Sequence, residues 1–141
     1  MWTTEHTAVT PLPAPAVWNA LRALHEGRAT YPGADRFELH GPFAVGSEVD
    51  VTPEGQQTFR SRIVDVVEGR AYADETVFGD VVLRFRHTLA PEAGGTRVTH
   101  RLEIDGPAAD ERGPDLGPQI SGDFGTTMAR LLELAAAVPA S

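Results

Sequence analysis

From Arg36 to Asp105 the chain reads as β-strand broken by turns too short to hold a crossover. The runs are 36–40, 47–52, 57–67, 71–78, 81–89 and 96–105. Between them stand Gly41-Pro42, Pro53-Glu54-Gly55, Glu68-Gly69, Gly79-Asp80 and the PEAGG of 91–95. Parallel neighbours need a connection of about a dozen residues or more, so strands joined this closely are antiparallel. The middle of the chain is therefore a meander.

The two ends must then cover one face of that meander. Thr3 to Val9 is a short β-tending segment, after which PLPAPAVWNALRAL changes period. Pro13 and Pro15 suit the first turn of a helix. Val17, Leu21 and Leu24 recur at i, i+4 and i+7 as one apolar stripe, and Gly27 ends it. A loop with Tyr31, Pro32 and Gly33 follows. The segment DGPAADERGPDLGP, 105–118, reads as a polar loop marked by proline and glycine. Beyond it Ile120, Phe124, Met128, Leu131, Ala135 and Val138 recur at helical spacing, which predicts one amphipathic helix of about five turns. Gly122 and Gly125 mark a late start or a bend in it, or a low wall that admits a ligand. The fold class expected is α+β: a curved antiparallel sheet gripping a long C-terminal helix, with a cavity between them, built as a single domain over 1–141.

Composition narrows the function. The net charge of −8 would repel phosphate backbones, which argues against nucleic-acid partners. Cysteine is absent, so neither disulfides nor thiolate metal sites are available. Lysine is absent too, and every basic residue is arginine, which excludes Schiff-base and lysine-nucleophile chemistry. No stretch reaches the roughly 18–20 apolar residues that span a bilayer. MWTTEHTAV has neither the basic nor the apolar region of a signal peptide, so the expected location is cytoplasmic. No phosphate-binding glycine loop or GxSxG elbow occurs. His6, His25 and His40 have no ligand spacing and read as exposed or unplaced, so no metal and no cofactor are expected.

APAVWNAL at 14–21, ELHGPFAVGSEVDVTPEG at 38–55, LRFRHTLAPEAGGTRVTHRLEIDGP at 83–107 and LGPQI at 116–120 carry a resemblance, in order, across nearly the whole chain. The chain resembles the START-like (SRPBCC) superfamily with its helix-grip fold, and within it the polyketide cyclase/dehydrase and lipid-transport group. The resemblance implies a cavity for a hydrophobic or amphipathic, polyketide- or lipid-like small molecule. It implies no catalytic motif, since members include carriers as well as cyclases and aromatases. A ligand-binding or carrier protein is the first expectation and a cyclase or dehydratase the second. A homodimer is compatible with both.

The residues facing the cavity follow from strand alternation. Leu83, Phe85, His87 and Leu89 share one side of their strand; Val98, His100, Leu102 and Ile104 share one side of the next. The arginine-rich sides face solvent, where they can pair across strands. Matching apolar to apolar allows two registers, with His87 opposite either His100 or Val98. Each histidine is either a satisfied core residue or half of a polar pair in a ligand cavity. If they are a pair, they are the candidate general acid and base. A two-residue Glu68-Gly69 turn brings Tyr72 and Asp74 inward; a one-residue bulge would bring Ala73 and Glu75 instead. Trp18, Tyr31, Phe59, Tyr72, Asp74, Phe85, Leu102, Phe124 and Met128 complete the expected ligand-binding set, with access near the 27–35 and 106–118 segments.

Overall fold

A computed structural model describes residues 1–137, so Val138, the last position of the expected helical stripe, lies outside it. Seven strands and three helices form in the order β1 (Trp2–Thr10), α1 (Ala14–His25), β2 (Arg36–His40), β3 (Glu48–Thr52), β4 (Phe59–Val67), β5 (Ala71–Phe78), β6 (Val81–Glu92), β7 (Gly95–Asp105), α2 (Ala109–Ser121) and α3 (Phe124–Ala137). The strands make one antiparallel sheet in the order β1-β7-β6-β5-β4-β3-β2, so the chain's first strand closes against its last. The meander expected from the turn spacing is present, with β1 added at its edge.

Local chemistry accounts for the elements. Pro13 caps α1 with extended backbone and Pro15 occupies its first turn, where a missing N–H costs nothing. Gly27, at φ +77°, takes the left-handed position that ends the helix. Val17, Leu21 and Leu24 are buried as the stripe predicts, each contributing about 1.5–3 kcal/mol of transfer free energy. They pack with Tyr72, Leu89, Val98, Met128 and Leu131 into one apolar cluster, while Val81, Leu83, Leu102, Ile104 and Phe124 form a second. On the opposite face Arg84 bridges Glu75 and Glu103 at 3.0 Å each, Arg101 bridges Glu5 and Glu103, and Arg86 holds Asp65. The arginine-rich sides therefore lie outward and pair across strands as alternation predicts.

The C-terminal third departs from expectation. The expected loop over 106–118 is mostly α2, which contains Pro114 and Pro118. The expected single helix from Ile120 is two, with Ile120 in the last turn of α2 and α3 starting at Phe124, beyond Gly122. Proline and glycine count against a helix locally, but a tertiary contact overrides them here. Gly113 and Gly117 lie one turn apart against the Trp2 indole, so closely that a Cβ on either would overlap the ring. Asp110 and Glu111 favour the N-terminal turn, and Arg112 ties α2 to Asp80.

Gly117→Ala should therefore destabilise the fold by about 1–3 kcal/mol through overpacking against Trp2. Asp115→Ala, exposed two residues earlier on the same helix, should stay within about 0.5 kcal/mol of the parent. Urea unfolding followed by tryptophan fluorescence checks both.

Candidate functional site

Strand register sets a line of polar rings across the inner face. His6 pairs with His100, His100 with His87, His87 with Tyr72, and Tyr72 with Val66, each on the neighbouring strand. Of the two registers left open by alternation, the structure takes the one with the histidines directly opposite. The His87 and His100 rings stack at 4.1 Å, and Phe124 of α3 stacks on the far side of His100 at 3.9 Å. From α1, His25 covers the other end, 5.3 Å from His87 and 4.2 Å from Tyr72. The line runs between the two apolar clusters. These rings lie where the inner face of the sheet meets α1 and α3.

Hydrogen bonding is uneven along the line. His25 Nδ1 lies 2.8 Å from the Leu21 carbonyl; since a carbonyl only accepts, Nδ1 carries the proton and Nε2 is left as an acceptor. Tyr72, fully buried, donates its hydroxyl to Asp74 Oδ2 at 2.7 Å. His87 is 8% exposed, and its Nδ1 has no hydrogen-bond partner among the described residues. A buried ring nitrogen left this way costs about 1–3 kcal/mol.

Burial dominates the protonation states. It pushes His25 down to about 4 against the help of the Leu21 carbonyl, and His100 down to about 3 with His25 and His6 adding repulsion. His87 is lowered well below the ordinary value, by burial and then by His100 and His25. All three are neutral near pH 7. Asp74 moves the other way: burial raises it to about 7, opposed by the Tyr72 hydrogen bond and reinforced by Asp35.

The expected site residues divide into those the fold brings together and those it does not. His87, His100, Tyr72 and Phe124 touch along the line. Asp74 and Leu102 lie one row away, both opposite Phe85. Met128 is buried in the cluster beside the line. Trp18 is core, 2% exposed, its Nε1 donating to Glu68 at 3.1 Å. Phe59 is remote and packs edge-on against Phe78. Tyr31 lies at the rim near Asp35, Asp123 and Arg130.

Two residues read as exposed or unplaced belong to the site. His25 stands four residues after Leu21, which puts it on the buried stripe of α1. His6 alternates with Thr4 and Ala8 toward the interior of β1. The third, His40, is exposed and meets Asp50 at 2.9 Å, with Glu38 nearby; Arg60 already holds Asp50 and Glu48 there.

Both hairpin alternatives contributed a part. The β4–β5 turn has three residues, 68–70, and β4 carries a bulge between Ile63 and Asp65. The two irregularities cancel, so Tyr72 and Asp74 point inward, Val66 meets Tyr72, and Asp65 turns out to Arg86. Two surface clefts, of about 310 Å³ beside Arg60 and Glu75 and about 270 Å³ beside Arg36 and Gln56, are not lined by any residue of the line.

Residues 1–136 match the family described as polyketide cyclase / dehydrase and lipid transport. Among solved structures, protein NE0264 from Nitrosomonas europaea is similar, with 18% identity over 94% of this chain and 93% of that one, at TM-score 0.69. Norcoclaurine synthase from Thalictrum flavum shares 14% identity over 96% of this chain and 87% of its own, at TM-score 0.72. The di-domain ARO/CYC StfQ of the steffimycin biosynthetic pathway shares 14% over 94% of this chain and 48% of its own, at TM-score 0.68. At these identities the likeness is one of fold. No curated protein matches the chain in sequence.

The buried imidazoles make the fold acid-sensitive. Their folded pKa values lie below the unfolded 6.5, so unfolding takes up protons, and stability falls as the pH drops from about 6.5 toward 4. Asp74, raised from 3.8 to about 7, works in the opposite direction over the same window, but as one group against three. The net loss should approach ~3 kcal/mol per pH unit at its steepest. Urea midpoints measured from pH 7.5 to 4.5 should fall accordingly, and less steeply in His87→Leu.

Proposed function

Because the chain belongs to the polyketide cyclase/dehydrase and lipid transport family, we propose that it binds a hydrophobic or amphipathic, ring-bearing small molecule between the sheet and the helices α1 and α3, as a binding or carrier protein. The observation that carries this reading is the His87 Nδ1: a polar atom buried on an apolar face with no partner among the described residues, opposite the Tyr72 phenol that bonds the Asp74 carboxyl. Such a group is costly in the ligand-free protein and useful once an oxygen or nitrogen of a ligand reaches it. The row of imidazole and aromatic rings around it suits a ring-bearing molecule. No described helix is long and apolar enough to cross a membrane, and a cytoplasmic carrier is part of the proposal.

A cyclase or dehydratase is the second reading, and Asp74 rather than the histidines favours it. A general acid or base works best with a pKa near the working pH. The imidazoles are held far below that range, whereas Asp74 sits at about 7 beside the Tyr72 hydroxyl. In that reading His87 and His100 bind and orient, and Asp74 moves the proton.

Native mass spectrometry of freshly purified protein should show a co-purified small molecule. Naphthalen-2-ylmethanol should raise the unfolding temperature in proportion to the logarithm of its concentration. His87→Leu should be more stable than the parent by about 1 kcal/mol without ligand, yet gain less from the same alcohol. A parent that carries nothing and does not respond to the alcohol would overturn the binding reading.

A further inference from the structure

Among the described residues the inner face carries the Asp74 carboxyl and no cation. Lysine is absent from the chain. Arg60, Arg84, Arg86, Arg97 and Arg101 all lie on the outer face, each in an ion pair. Asp74 lies on the other side, 5% exposed, with the Tyr72 hydroxyl as its hydrogen-bond partner and no ion-pair partner among the described residues. A carboxyl in such a place is normally paired, because an uncompensated buried charge is expensive.

The neighbours of Asp74 suit a positive guest. The Tyr72 ring is stacked against Phe43 at 5.4 Å and tilted toward His25 at 4.2 Å, which presents aromatic faces of the kind that attract cations. Across the register from Tyr72, the unpartnered Nδ1 of His87 is an acceptor in one of its two neutral tautomers. At the rim, Asp35 and Asp123 stand near Tyr31, and neither has an ion-pair partner among the described residues. The arginine nearby, Arg130, is engaged by Glu133 at 3.0 Å.

Resting on the small-molecule reading above, we propose that the molecule taken up at this site carries a protonated amine on a ring system, with Asp74 holding the ammonium and His87 Nδ1 accepting a second hydrogen bond from it. A fatty acid or other anionic amphiphile is the poor fit, since its carboxylate would meet Asp74 inside and Asp35 and Asp123 at the rim.

The choice has a proton signature. Burial keeps the Asp74 carboxyl near 7 in the empty site, so an arriving ammonium must ionise it and release a proton. Tyr72 on its own strand and Asp35 in the α1–β2 loop act on Asp74 directly; His25 on α1 and His87 on β6 stand beside Tyr72, and Asp123 and Arg130 lie by Tyr31. Burial holds Tyr72, His87 and His25 neutral around pH 6–7, so they do not supply that proton.

Three probes of one skeleton test the assignment: naphthalen-2-ylmethanamine, naphthalen-2-ylmethanol and 2-naphthoate. Titration calorimetry on the full chain at pH 6.5, in two buffers of different ionisation enthalpy, reads affinity and proton release together. The amine should bind at least ~10-fold tighter than the alcohol, a difference of about 1.4 kcal/mol. The naphthoate should bind weakest, and proton release should accompany the amine alone. Asp74→Asn should erase the amine's advantage and its proton release while the alcohol still binds. An amine no tighter than the alcohol, or an advantage that survives in Asp74→Asn, would overturn the assignment and leave the binding reading intact. Failure of all three probes on the parent protein would overturn the binding reading itself, and the amine with it.

Discussion

The pairing of β6 with β7 across a two-residue turn at Ala93-Gly94 sets the position of almost everything else. Because Glu92 meets Gly95, His87 must meet His100, and the pleat alternation then carries both rings to the inner face. β1 and β5 pair along the outer flanks of that hairpin in the phase that sets Trp2, Ala8, Tyr72 and Phe78 against the core and leaves Val9 and Val77 exposed. His6 and Tyr72 fall into line as a result. A slip of one residue between β6 and β7 would turn one of these two imidazoles to solvent and the arginines of its strand to the core. The outer ion-pair network and the inner line of rings are therefore two readings of one register.

This arrangement concentrates an energetic conflict. Two apolar clusters demand a dry interior, and the line of nitrogens between them is dried out as a consequence. Desolvation lowers the histidines and raises Asp74, so groups that would differ in charge on a surface all drift toward neutrality here. Neutral rings can stack face to face, as His87, His100 and Phe124 do, without the repulsion that imidazolium pairs would suffer. What stacking cannot supply is a partner for the His87 Nδ1. Register and burial together impose a standing cost on the fold at that one atom.

The strands were legible because two independent signals coincide in them, alternation within each run and turn residues between runs. The inward histidine pair followed from the same alternation. His25 escaped notice because the stripe of α1 was traced only through Leu24, one residue short. His6 escaped because Thr4 and His6 dilute the apolar alternation of β1. Helix α2 could not be read at all from its own residues: Gly113, Pro114, Gly117 and Pro118 all argue against it, and the indole that makes the glycines useful lies at Trp2, at the other end of the chain. Contacts distant in sequence decided where local propensity gave the opposite answer.

The cancelling irregularities of the β4–β5 hairpin decide which of two neighbouring side chains is buried. The extra residue at the bulge and the extra residue in the turn together send Val66 to the interior and leave Asp65 with Arg86. A regular strand closed by a two-residue turn would keep Ile63 against Asp74 but exchange the faces of 65 and 66, setting a second carboxylate opposite Tyr72. The paired irregularities thus keep an isopropyl group inside where burial would penalise a charge.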